Sequence, residues 1–386
     1  MTKVGHSVVW IFSKFIFMVR LIRAFILLIL ICIVVNAYAQ DDYRIYHRWI
    51  NNAERCFFLD GKTDSAYRYY DMAFSKFDFV FAKDCFMAAQ IACYNKSDKY
   101  ISYLRKGFKN GLRPDHLKYS RVLAPLIKDS TVFKKKFNDY RELRKIYLKR
   151  INAVVLKQVI KHVSQDQSEK NFIYSDKDWE GENAYAKKLG RHISFIEALL
   201  KQVGFPGDKL LGIDQADIMK ELGYDSSDYI DLYNLIYKDP KYHTGRGQFE
   251  ICDDCISHEH VFALLFHQVC AYWLFSKDWE KLIISGEVHP REVAMLYDEF
   301  AELYYANADQ VRNKKIANIF GCGSICLPGC YKTDQFTDYK SPNCSAHITD
   351  SLRMALYINT LAVDSAKYIF GDIHGFKTKF GFRNCR

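Results

Sequence analysis

The sequence predicts an all-α protein: helical hairpins in series, then a second helical region, then a loop-rich tail holding cysteines. Three observations carry this. Apolar residues recur at helical spacing from residue 42 onward. A block of polar and aromatic residues repeats after 34 positions. Strand-type alternation is scarce, and only 7 of the 386 residues are proline.

The first element is a targeting segment. Arg20 and Arg23 precede an apolar run from Ala24 to Val35, and Ala37-Tyr38-Ala39 supplies an A-x-A site before Gln40. That order defines a secretory signal peptide, here residues 1–39. The apolar run is short for a bilayer span. Met18 begins a stretch that is a complete signal by itself. The expected location is periplasmic or extracellular, with membrane attachment only through an uncleaved signal. Cleavage removes Lys3, Lys14, Arg20 and Arg23, so the formal charge falls from +10 to +6. This mild excess, with no recognisable module, gives no ground for nucleic acid as a partner.

Residues 40–130 form the hairpin region. Ile45, Trp49, Ala53, Cys56 and Phe57 fall on one helical stripe, and Gly61 stops that helix. Thr63 or Asp64 caps the next helix, which carries Tyr67, Tyr70, Ala73 and Phe74. Lys62, Asp64, Tyr69 and Phe74 recur as Lys96, Asp98, Tyr103 and Phe108. A helix–turn–helix unit with this period is tetratricopeptide-like. Each hairpin leaves an apolar face that the next one covers. The segment Pro114 to Ile127 is expected to cap the array.

A connecting helix is expected over 131–163, capped by Asp129-Ser130-Thr131. Phe133, Phe137, Tyr140, Leu143, Tyr147, Ile151, Val154, Val155 and Ile160 make its apolar stripe. Its other face carries ten Lys or Arg between Lys134 and Lys161 and reads as a solvated surface. The second helical region is expected over 164–310. In it, residues 168–190 read as polar and partly looped, a helix follows from Arg191 to Val203, and Gly204-Phe205-Pro206-Gly207 makes a turn. The tail is 311–386.

Several motifs of this second region resemble a known family. They are Ser164-Gln165-Asp166-Gln167, the helix with His192, the turn at 204–207, Phe266-His267-Gln268, the run from Gly286 to Asp298, and the closing stretch 380–386. Together they resemble a family of exported proteins, mostly from Bacteroidota, with a helical domain of unknown function behind a signal peptide and a repeat-like region. The resemblance covers residues 160–305 best. The family usually has Asn near the position of His192. What it implies is export and a helical fold, not a reaction.

Candidate chemistry centres on residues 258–300. His260 and His267 are seven apart on the helix predicted from Glu259 to Phe275, too far to share one metal. An H-E-x-x-H zinc motif fails, because Phe262 stands where its second histidine belongs. His267 is placed to meet His289 or Asp298, and a His–Asp pair can do general acid–base work. Arg291 is expected to pair with an acid, Pro290 to start a helix and Glu292 to favour its first turn. The candidate catalytic set is therefore His267, His289, Arg291 and Asp298, against an ordinary helix-start reading.

Twelve cysteines include eleven after the signal. In an exported chain, disulfides are the default for Cys252, Cys255, Cys322, Cys326, Cys330, Cys344 and Cys385. Cys252-x-x-Cys255 is alternatively a metal or redox pair. Cys56, Cys85, Cys93 and Cys270 fall on helix faces and read as small apolar residues. No cofactor motif is found: there is no Walker loop, no G-x-S-x-G elbow and no dinucleotide fingerprint. The leading expectation is a binding or scaffold protein that holds a protein or peptide on its hairpins. A hydrolase around the histidines and a metal- or redox-linked protein are the alternatives.

Overall fold

A computed structural model of the protein describes residues 22–23, 42–175, 179–215, 217–225, 256–266, 277–306 and 346–380. Every regular element among them is helical, as the apolar spacing predicts. The described residues from Tyr43 onward belong to one compact unit.

Two hairpins come first: α1 (Tyr43–Phe58) with α2 (Thr63–Lys76), and α3 (Ala82–Tyr94) with α4 (Lys99–Lys109). On α1 the residues Tyr43, Tyr46, Ile50, Ala53 and Phe57 are buried, a stripe at helical spacing. Both hairpin turns use a left-handed residue, Gly61 at φ 66° and Lys96 at φ 55°. The repeated Phe74 and Phe108 both enter the core. Neither Thr63 nor Asp64 caps α2, whose first turn has no side-chain cap. A 3-10 turn (Pro114–Tyr119) and the short α5 (Pro125–Lys128) follow.

The expected connecting helix is three helices: α6 (Ser130–Lys136), α7 (Tyr140–Arg150) and α8 (Ala153–Ser175). Asp129 does cap α6, accepting from the Thr131 and Val132 amides. Phe137 then leaves helical geometry and packs on Phe108, ring centres 5.3 Å apart. Ile151 is extended. Asn152 restarts the chain by accepting from the Val155 amide at 3.2 Å. The basic face is not uniformly solvated either. Arg144 is buried and pairs with Glu221 at 2.7 Å. Residues 168–190, expected to be partly looped, are helical to Ser175 and again from Trp179 in α9 (Trp179–Gln202).

The remaining helices are α10 (Asp208–Leu211), α11 (Ile218–Glu221), α12 (His260–Phe266), α13 (Trp279–Ile284), α14 (Pro290–Ala306), α15 (Ala346–Ala355) and α16 (Leu361–His374). Residues 346–380 of the predicted loop-rich tail thus hold two helices. Two hydrophobic clusters form. One gathers the hairpins with Phe137, Ile213, Ile256 and Phe376. The other gathers Tyr147, α8 and α9 with α12, α13 and α14. Packing therefore crosses the predicted boundaries at 130, 163 and 310.

The C-terminal helices lie against the first one. Asn51 donates to the Tyr357 carbonyl at 2.8 Å, and Phe57 packs edge-on to Phe370 at 5.2 Å. Among the described residues, Cys56, Cys85 and Cys93 are unbridged. Cys85 is fully buried and the other two are half-buried. Cys270 and all seven disulfide candidates lie outside the described residues. No described helix is long and apolar enough to cross a membrane.

Candidate functional site

The core of the site starts with α3. Its sequence, AKDCFMAAQIACY, is apolar except for Lys83, Asp84 and Gln90 and its tyrosine, and residues 82–92 are buried on all sides. Buried polar groups persist only with partners. Lys83 Nζ lies 2.5 Å from Glu292 Oε1 on α14. Asp84 Oδ2 accepts from the Tyr46 hydroxyl at 2.7 Å. Gln90 holds both backbone groups of Lys377, at 2.9 and 2.6 Å.

Around α3 the ionic contacts continue. Glu54 on α1 accepts from Lys367 Nζ at 2.5 Å and from Asn359 Nδ2 at 2.8 Å. Arg291 donates to both oxygens of Asp364 at 2.6 Å, and the fully buried Arg353 pairs with the same carboxylate. Burial alone would raise the Asp364 carboxyl, but Arg291 and Arg353 bring it down to about 2. Burial raises Asp84.

These groups surround a cavity of about 100 Å³, room for several waters or a small molecule. Four cationic side chains line it (Lys83, Arg291, Lys367 and Lys379) against three carboxylates (Glu54, Asp84 and Glu292). Ile50, Met295, Ile358 and Phe380 give it an apolar side. His47 and His289 meet edge-on in its wall, ring centres 5.3 Å apart. His289 Nδ1 accepts from the Arg291 amide at 3.2 Å. This leaves the proton on Nε2, 3.8 Å from Asp84 Oδ1. Burial first, then the other's charge for His47 and the Lys83 charge for His289, hold both imidazoles well below their usual range. His47 Nε2 is buried without a hydrogen-bond partner. The wall can therefore offer neutral imidazole nitrogens and ammonium groups to one small ligand.

Of the predicted catalytic set, His289 and Arg291 meet here. Asp298 is buried on α14 but does not line the cavity. His267 lies outside the described residues, as do Cys252 and Cys255. The carboxylate facing His289 is Asp84, not Asp298, and Arg291 has its expected acid in Asp364. Half of the site comes from the hairpins, which sequence reasoning had kept apart from the chemistry. Its missed residues, His47, Glu54, Lys83, Asp84 and Lys367, had one visible signal: charged side chains on helix faces that packing demands be apolar.

A second polar cluster lies at the loop before α12. Gly212 has φ 75°, and a Cβ there would sit 2.1 Å from the Tyr147 hydroxyl. That hydroxyl accepts from the Ile213 amide at 2.9 Å, which fixes the approach to Asp214. Asp214 Oδ2 accepts from the Glu259 and His260 amides at 2.6 and 3.0 Å. Its oxygens lie 2.9 Å from His258 Nδ1 and 2.5 Å from His260 Nδ1. Burial opposes ionisation of Asp214, yet His258 and His260 hold it well below the usual carboxylate range. Asp208 accepts from the His258 amide at 2.5 Å. Its other oxygen is buried with no partner, and burial together with the Glu292 charge raises its carboxyl. The H-x-H spacing of His258 and His260 is readable in the sequence, although the metal arrangements considered for them there are the failed H-E-x-x-H motif and the pair His260 and His267.

Comparison with family models, with curated proteins and with solved structures finds no match to this chain.

Proposed function

We propose that this is an exported binding protein whose ligand is a small organic carboxylate, held in the cavity between the hairpins and the C-terminal helices. The observation that carries the reading is the lining: four cations against three carboxylates around about 100 Å³, with one apolar wall. A carboxylate would balance that charge, and its carbon skeleton would lie on Ile50 and Ile358. The tetratricopeptide-like hairpins supply two walls. Their helices α1 and α3 are already engaged by the chain's own residues 357–377, through Asn51, Glu54 and Gln90. This occupancy favours a small ligand over a peptide laid along the same face.

The test is thermal unfolding of the purified chain with a panel of small carboxylates and their uncharged amides. A carboxylate should raise the melting temperature where its amide does not, and His47→Ala should reduce the shift. A panel without any shift, alongside binding of a helical peptide, would replace this reading by the peptide-scaffold one. Recovery of the ligand chemically altered would move it to an enzyme using His289.

A further inference from the structure

We propose that Asp214, His258 and His260 bind one divalent transition-metal ion of the zinc class. The site is separate from the carboxylate cavity, and the proposal does not rest on that reading.

One donor atom from each of the three residues lies within 4.8 Å of the others. The two imidazoles approach the carboxylate at ion-pair distance but at angles poor for hydrogen bonds. His258 Nδ1 and His260 Nδ1 are 2.9 and 2.5 Å from the carboxylate. Neither nitrogen has a hydrogen-bond partner at an acceptable angle, and His258 Nε2 has none either. His258 is only 1% exposed. Three buried imidazole nitrogens without a well-angled hydrogen bond are costly unless something else engages them. A cation between the rings and the carboxylate would engage all three donors at once.

The donor chemistry selects the ion. Two imidazoles and one carboxylate suit Zn²⁺ and its neighbours, whereas Ca²⁺ and Mg²⁺ want oxygen donors throughout. The Glu259 and His260 amides on Asp214 Oδ2 fix that carboxylate with Oδ1 facing His258 Nδ1 at 2.9 Å, the kind of outer support metal ligands usually have. His260 is the less buried of the two imidazoles, with its side chain 11% exposed, although the Nδ1 atom itself is covered.

The placement also suggests what the ion does. Ile213 and Ile256 belong to the hairpin cluster, whereas Ile218 and Val261 belong to the second cluster. Asp214 and His258 lie between these pairs in sequence. A metal bound there would tie together two loops at the seam of the two hydrophobic clusters.

The experiment uses the full purified chain, stripped with a chelator and dialysed, then given Zn²⁺ or Co²⁺. Native mass spectrometry should find one Zn²⁺ per chain at this site, and Co²⁺ should give a visible d–d spectrum of nitrogen and oxygen donors. His260→Asn, Asp214→Asn and His258→Asn should each weaken Zn²⁺ binding by more than about tenfold, a loss that even outer-shell changes can reach. His260 is the least buried of the three, so His260→Asn is the variant that keeps the test valid if the others do not fold. Three results would overturn the proposal: no Zn²⁺ or Co²⁺ bound by the native chain, binding undiminished in His260→Asn, or an intense thiolate-to-metal band. The last would assign the ion to cysteines instead.

Discussion

The two buried polar clusters handle charge in opposite ways. Around α3 and α16 the ionic side chains complete one another: Lys83 with Glu292, Lys367 with Glu54, Arg291 and Arg353 with Asp364. At Asp214 the carboxylate is oriented by two amides, but the Nδ1 atoms of His258 and His260 that face it make no well-angled hydrogen bond. In the first cluster protein atoms pair most of the charge, and what they leave for the proposed carboxylate is one cation in excess around the cavity and the unpartnered Nε2 of His47. In the second, the unpartnered atoms are imidazole nitrogens, two of them facing the carboxylate. A buried ionic network thus points to a ligand where its own atoms leave something unsatisfied.

The largest effect should come from breaking the ion pairs of the first cluster. Asp364→Asn strands Arg291 and Arg353 without their shared anion, and breaking such a buried pair costs about 3–5 kcal/mol. A urea midpoint unchanged by this substitution would show that the network carries no stability. The second cluster predicts a gain rather than a loss. Zn²⁺ at about 100 times its dissociation constant should stabilise the native chain by about 2.7 kcal/mol, with no such shift in His260→Asn.

Acid should act through a neutral histidine of the 3-10 turn, His116. His116 accepts from the Arg113 amide at 3.1 Å; burial and then the Arg113 charge push it down to about 3. The unfolded chain takes up this proton near pH 6.5 and the folded chain does not, so stability is lost as pH falls through that window. From pH 7 to 5 this amounts to about 2 kcal/mol for His116. Denaturant midpoints against pH in the native chain and in His116→Gln would measure it; equal slopes would refute it. The smallest effect belongs to the exposed pair Lys109–Asp78, where Asp78 is 91% exposed. Asp78→Asn should change stability by roughly 0.5 kcal/mol or less.

The helical character of the chain and the two hairpins were legible because burial imposes a period on apolar residues, and that period survives in a single sequence. The helix breaks at Phe137 and Ile151 were not. The apolar stripe runs through both, and only Asp139, at the N-cap position of α7, and the capping Asn152 mark new starts. Residues in the cavity were legible singly and not as a set. Arg291 was expected to find an acid, but nothing local says that the acid is Asp364 or that His289 faces Asp84. Such pairings depend on which helices meet, which in turn depends on contacts across most of the chain. The Asp214 cluster was half legible: H-x-H is local, whereas its carboxylate comes from a loop 44 residues upstream.

The pairing of Glu54 with Lys367 spans 313 residues, and this has a consequence for timing. Closing a loop of that length costs about 5 kcal/mol of chain entropy in its length-dependent part. Until Lys367 arrives, a hairpin core assembled from the N-terminal side holds a carboxylate that must stay wet, and α3 lacks the cover over its polar residues. The hairpins are local enough to form early, but their inner face cannot dry until the C-terminal helices dock. A chain that emerges N-terminus first therefore stays open along this face through most of its synthesis and closes in a late, concerted step.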